Sequence, residues 1–240
     1  MLETINFTDV LFLDIETVPQ HDSFDQLNDI EKELFSKKTA YQRQQKEVSE
    51  QDFYEHAGIW AEFGKIVCIS VGFFSVTNGI NQLRIKSFHG DEKELLLSFS
   101  KLLNSHFNHQ NHLLCAHNGK EFDFPYIARR MVILGLPIPE KLNLFGKKPW
   151  EVAHLDTMDL WKFGDYKHFT SLKLLTHILG IPSPKEDIDG SQVAQVFYED
   201  KNIERIVAYC ERDVVAIAQI LLRFKNLPLL EDKDVLLVKD

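Results

Sequence analysis

Four carboxylates in three separated segments have the residue types for joint chemistry: Asp14 and Glu16 in LFLDIETVP, Asp123 in HNGKEFDFP, and Asp213 in YCERD. Acids this far apart in sequence converge only in the fold. Converged carboxylates repel one another unless cations neutralise them. Hard, oxygen-loving divalent ions are the usual solution, and a pair of them suits cutting or joining phosphodiesters. Read singly, each segment has a plainer explanation. Asp14 and Glu16 share one face of a strand, which is costly in a core but harmless past the strand's end. Asp123 suits a helix N-terminus, with Pro125 tolerated in the first turn. Tyr209 and Asp213 are one helical turn apart and pair as readily on a surface.

The elements under these residues decide whether they can meet. Val10–Ile15 reads as a buried strand ending at the two acids. Residues 22–58 are polar, with Leu27, Ile30 and Leu34 at helical spacing, and read as a loosely packed, solvated helical insertion. Ile66–Phe74 and Leu83–Phe88 are the next strands, joined through a turn at Thr77–Gly79. With the first strand they form an antiparallel meander. Asp91–Phe107 is an amphipathic helix capped by Asp91, and Leu113–Ala116 a short strand behind it. The helix at Phe124–Leu134 has the apolar stripe Phe124, Ile127, Ala128, Met131 and Leu134. Ala153–Asp156 is a last short strand. Helices follow at Ser171–Leu179, Ser191–Tyr198 and Ile203–Phe224. In the last, Ile206, Cys210, Val214, Ile217 and Leu221 form the buried stripe, with Asp213 at its edge and Tyr209 further round. The tail 231–240 is expected to fray. The order implies an α/β domain, with a mixed central sheet of about five strands flanked by helices.

Composition narrows the classes. The chain has 240 residues, which fits one large domain filling 1–240, and its 18 Phe can build a sizeable core. A net charge of −9 argues against general binding of nucleic acid by charge. It leaves a locally basic groove open and is consistent with help from a protein partner. Cys68, Cys115 and Cys210 lie in apolar contexts without metal-ligand spacing, and read as buried thiols in a reducing, cytoplasmic setting. MLETINFTDV lacks the basic start of a signal peptide, and no apolar run is long enough for a membrane span.

The three acidic segments carry a resemblance. D-x-E, N-x3-F-D and Y-x3-D, in this order, are similar to the three motifs of the DEDD class of 3′–5′ exonucleases, tyrosine subclass. The chain resembles most closely the stand-alone predicted exonucleases related to the proofreading domain of family B DNA polymerases. EFGKIVCISVG at Glu62–Gly72 and LDTMDLW at Leu155–Trp161 support the match, which spans Val10 to Phe224. The resemblance implies an RNase H-like fold and two Mg²⁺ or Mn²⁺ ions held by Asp14, Glu16, Asp123 and Asp213. It implies that Tyr209 orients the attacking water first and moves a proton second, since an ordinary phenol is a poor base at neutral pH. The backbone at Ile15–Thr17 would lie against the terminal nucleotide. Phe122 would support the site, wedge near the next base, or simply fill the core; Asn118 would contact substrate or, preferably, make the turn. The implied partner is a single strand with a free 3′ end, DNA ahead of RNA. Two alternatives use the same residues: an RNase D-like exoribonuclease, and a catalytically silent nucleic-acid-binding or interaction module. An unrelated domain with chance acids would hold Asp14 and Asp213 far apart.

Other residues invite weaker readings. His106, His109, His112 and His117 have the types for zinc, but a solvated loop explains them better. Lys147 and Lys148, or Lys167 and His168, are small basic clusters of the kind that meets phosphates and is also common on surfaces.

Overall fold

The computed structural model describes residues 2–77, 80–165, 168–182 and 187–238. The first strand, β1, runs Val10–Pro19. It is followed by α1 (Asp29–Lys46), α2 (Glu50–Phe53), β2 (Gly64–Thr77), β3 (Ile80–His89), α3 (Glu92–His106), β4 (Leu113–Ala116) and α4 (Asp123–Ile133). Then come β5 (Leu155–Asp156), α5 (Thr157–Trp161), α6 (Leu172–Ile178), α7 (Val193–Tyr198), α8 (Ile203–Phe224) and β6 (Val235–Leu237). The sheet has six strands in the order β5-β4-β1-β2-β3-β6. The meander β1-β2-β3 is antiparallel; β4 runs parallel to β1, β5 to β4, and β6 to β3. Asn78 and Gly79, in the expected turn, lie outside the described residues.

Strand alternation sorts the core onto two faces. Leu11, Leu13 and Ile15 pack with Ile69, Val71, Phe99, Phe124 and Ile127 beneath α3 and α4. Val10 and Phe12 pack on the other face with Leu83, Ile85, Val214 and Ile217, beneath α8. The even-numbered line continues through Asp14 and Glu16, so the acids follow two apolar residues down the same face. Close approach of α8 requires Gly72 on β2: a Cβ there would meet Val214 Cγ1 at 2.8 Å and Ile85 Cδ1 at 2.9 Å. The expected stripe of α8 is buried as read, from Ile206 through Cys210 and Val214 to Leu221. Polar contacts also tie α8 to the sheet: Ser70 and Ser87 hydroxyls meet at 2.8 Å, and Ser87 Oγ donates to Glu211 Oε1 at 2.8 Å.

Four expectations need correction. β1 does not end at the acids but continues to Pro19, because Thr17–Pro19 pair with β2 after a register shift between Glu16 and Thr17. The tail is not frayed where described: Val235–Leu237 adds a sixth strand against Leu83–Ile85, and Gln219 exchanges hydrogen bonds with the Leu230 backbone beside it. The insertion is not a solvated decoration. Phe35 is fully buried and ringed by Phe24, Tyr54, Trp60 and Phe63, with Phe63 edge-on at 5.3 Å. Of the positions read as its apolar spacing only Leu27 is buried; Ile30 and Leu34 face solvent. Finally, LDTMDLW holds a short helix, α5, where none was expected.

Candidate active site

β4 pairs with β1 only along Val10–Phe12. Beyond Phe12, β1 therefore has a strand neighbour on its β2 side alone among the described residues. Asp14 and Glu16 lie beside this gap, at the carboxyl end of parallel β4, where open α/β sheets form crevices. α4 enters the gap with its first residue: Asp123 is buried, and the N–H groups of Asp123 and Ile15 donate to its carboxylate. α8 closes the other side with Tyr209, Cys210 and Asp213.

The three segments do converge. One carboxylate oxygen each from Asp14 and Glu16 and the Cys210 sulfur lie within 4.8 Å of one another. Burial, then Glu16, Asp213 and Asp123 in that order, push the Asp14 carboxyl well above its ordinary range. Burial and Asp213 do the same to Glu16. Asp123 is pushed up to about 7, chiefly by burial and then by Asp156, with its two N–H partners pulling the other way. No lysine or arginine forms an ion pair with Asp14, Glu16 or Asp123 among the described residues. The Tyr209 hydroxyl donates to Asp213, and burial with the negative charges of Asp213, Glu16 and Asp14 drives its pKa far above that of a free phenol.

The flanking residues fall into distinct roles. Asn118 has φ +64, and its carbonyl accepts the N–H groups of Glu121 and Phe122 at 3.2 and 2.9 Å, so it makes the turn into α4. Its side-chain oxygen is buried without a hydrogen-bond partner. Phe122 is half-buried, packs on the core edge and tilts against Tyr126 at 5.3 Å between ring centres. Ile15 is buried and engages Asp123 through its N–H; Thr17 is half-buried and hydrogen-bonded to the Tyr126 hydroxyl.

Two residues escaped the sequence reading. Cys210 is buried as expected, but its thiol also donates to the backbone oxygen and Oδ2 of Asp14, both at 3.4 Å. Its place beside Tyr209 in YCERD is the only signal in the sequence. Asp156 is buried and takes N–H groups from Asn118 (3.0 Å), Lys120 (3.1 Å), Met158 (3.0 Å) and Asp159 (3.2 Å). It thereby fixes the loop that delivers Asp123. The histidines do not gather. His109 and His112 bond to each other at 3.2 Å in an exposed loop, whereas His117 is held by Thr157 and Thr170. His168 pairs with Asp165 at 3.1 Å, and Lys167 lies outside the described residues.

Residues 58–231 match a family described as a predicted 3′–5′ exonuclease related to the exonuclease domain of PolB. The chain belongs to this family. Two polymerases are similar to parts of this predicted exonuclease. A DNA polymerase of Pyrococcus glycovorans is 23% identical over 135 residues, 51% of this chain and 17% of the polymerase. The structure of the family B DNA polymerase from the hyperthermophilic archaeon Pyrobaculum calidifontis aligns over 89% of this chain and 24% of its own, with a TM-score of 0.52 and 16% identity. The second likeness shows the fold, an RNase H-like mixed sheet flanked by helices. The chain thus spans less than a quarter of either polymerase. No described helix is long and apolar enough to cross a membrane.

Proposed function

We propose that the whole chain is one metal-dependent exonuclease domain that releases 5′-mononucleotides from the 3′ end of single-stranded DNA. The observation that carries this reading is the gathering of Asp14, Glu16, Asp123, Asp213 and Tyr209 beside the open flank of β1, with no lysine or arginine among the described residues paired to the first three acids.

The donor set fits hard divalent ions. Carboxylate oxygens predominate, and such ligands suit Mg²⁺ and Mn²⁺. Cys210 does not oppose this: burial pushes its thiol up, so it remains an S–H donor to Asp14. Asp14, Glu16 and Asp213 would hold one ion, and Asp14 with Asp123 the second. Such ions supply an activated water and stabilise the attacking and leaving oxygens of an in-line displacement.

The chain's own groups do the rest. Asp14 and Glu16 are held on a strand paired along β2, so their spacing is fixed before substrate arrives. Burial, and then the surrounding acids, oppose ionisation of Tyr209. Its hydroxyl therefore orients a water or a phosphate oxygen first and moves a proton second. Asp156 holds the Asn118–Lys120 loop and so sets where Asp123 enters.

The test is digestion of 5′-labelled single-stranded DNA and RNA of one sequence, in Mg²⁺, Mn²⁺ or EDTA. The expected result is a metal-dependent ladder shrinking from the 3′ end, faster on DNA and absent in Asp14→Ala. Equal or faster loss of RNA would replace the DNA preference with the exoribonuclease reading. Strands left intact under every condition would overturn the nuclease reading.

A further inference from the structure

A groove of about 330 Å³ opens beside the acid cluster and plays no part in the chemistry described above. It is lined by Asn118 and by Asp156, the residue whose charge acts on Asp123, and by none of the clustered acids themselves. It therefore abuts the site without being part of it. Trp150 also lines it and leaves 76% of its surface in water. Lys148 holds its ammonium over the Trp150 ring, 5.2 Å from the centre. Lys162 and Gly164 also line the groove. Between them Phe163 is 86% exposed, at φ +46. That backbone region is unfavourable for a bulky residue.

Two large rings thus lie in water beside lysines, Trp150 in the groove and Phe163 between two residues that line it. A single strand of nucleic acid supplies the complement: flat bases for the rings and phosphates for the lysines. The acids along the groove weigh against this less than their number suggests. Asp156 is taken up by four backbone N–H groups, Asp159 pairs with Lys120 at 3.2 Å, and Asp165 pairs with His168. Of the groove's acids only Glu121 lacks such an engagement among the described residues, and it is exposed. Next to this groove, a second one shares Lys120, Glu121 and Pro149 and adds Arg129 and Lys147 with one further acid, Glu62. Its added charges are on balance basic although the chain as a whole is acidic.

We propose that this groove carries the nucleotides on the 5′ side of the scissile one, with a base stacked on Trp150 and the backbone met by Lys148 and Lys162. The inference rests on the nuclease reading, because the strand's direction is set by its 3′ end lying at the acids. It adds a length requirement: a strand long enough to reach Trp150 binds more tightly than one confined to the acid cluster.

The experiment compares 5′-fluorescein-labelled dT2 and dT8, with rU8 in parallel, binding to the full chain in Ca²⁺ by fluorescence anisotropy. Hydrolysis of the same strands is followed in Mn²⁺. The proteins are the unmodified chain, Trp150→Ala, and Trp150→Phe, which keeps a ring. Trp150 is exposed, so neither substitution disturbs the core. Tighter binding of dT8 than dT2 is expected, with Trp150→Ala weakening dT8 about tenfold, the worth of one stacked base, and Trp150→Phe recovering most of it. A parallel loss with rU8 supports the same groove for either sugar. Equal affinity of Trp150→Ala and the unmodified chain for dT8 overturns the inference, as does an equal loss for dT2 and dT8. If the unmodified chain hydrolyses dT8 and Trp150→Ala shows the same KM, the groove assignment falls and the nuclease reading stands. If it neither binds nor hydrolyses any strand, both fall.

Discussion

Two groups of largely buried carboxylates in this chain are treated in opposite ways. Glu92, at the start of α3, receives Arg130 through two hydrogen bonds at 2.8 and 2.6 Å, and Arg130 also donates to the Ala61 carbonyl at 2.8 Å. Its charge is answered inside the chain, by the guanidinium fork that matches a carboxylate. Asp14, Glu16 and Asp123 lie in the same small domain beside further acids, Asp213 and Asp156, with backbone N–H groups and a thiol but no lysine or arginine paired to them among the described residues. The first arrangement is a fastening between α3, α4 and the loop before β2. Under the proposed function, divalent ions complete the second. The difference separates a carboxylate tied into the architecture from carboxylates left without a cation among the described residues.

That contrast can be broken by substitution. Asp14→Ala should reduce strand hydrolysis by about a thousandfold or more, since loss of metal-assisted stabilisation is worth several kcal/mol. In EDTA the same variant should melt no lower than the unmodified chain, because one of several repelling charges is gone. Arg130→Met should do the reverse. It leaves the largely buried Glu92 without its guanidinium and, among the described residues, with only the Ile66 N–H bonded to it, a loss at the low end of about 3–5 kcal/mol in urea unfolding, while activity per folded molecule persists. A destabilised Asp14→Ala with a stable Arg130→Met would erase the distinction.

Metal sharpens the comparison. Mn²⁺ at a hundred times its dissociation constant should stabilise the chain by about 2.7 kcal/mol, a rise in Tm of roughly 5–10 °C for this size. Asp14→Ala should lose that rise, and Arg130→Met should keep it. The smallest effect is in pH. Asp123, at about 7 in the folded chain, binds its proton more tightly there than when unfolded. The folded state thus holds more protons between about pH 4 and 7, and stability in EDTA should fall as pH rises through that window. Asp14 and Glu16 shift the same way and add to the slope. Saturating Mn²⁺ keeps the carboxylates ionised in the folded chain and should flatten or reverse it. Urea melts at pH 5 and 7.5, with and without Mn²⁺, would decide; a flat EDTA profile would contradict the raised acids.

What could be read from the sequence follows from how local each cause is. α8 was legible to its ends, because its stripe from Ile206 to Leu221 is periodic within one segment. β4 was equally plain as an apolar run before a turn. The acid cluster was legible as a set of motifs, although its geometry depends on the pairing of β1 with β2 and on Gly72. The insertion was misjudged because the partners of Phe35 come from both before and after α1, so no single window displays its core. β6 was missed because three apolar residues in a charged tail gain their order from β3, far away in sequence. Asp156 was hidden for a related reason: two of its donors lie in a loop 36 and 38 residues upstream.

β6 has a further consequence, for how this molecule keeps to itself. Without it, the Leu83–Ile85 stretch of β3 would offer bare backbone donors and acceptors along the rim of the sheet. Such a rim is a template for another copy's strand and so for clumping. A three-residue cover made from the chain's own final segment occupies that template, and Val238 N–H extends it with a hydrogen bond to the Ile85 carbonyl at 2.7 Å. The segment thus works as a guard against self-recruitment, on the opposite side of the sheet from the acids.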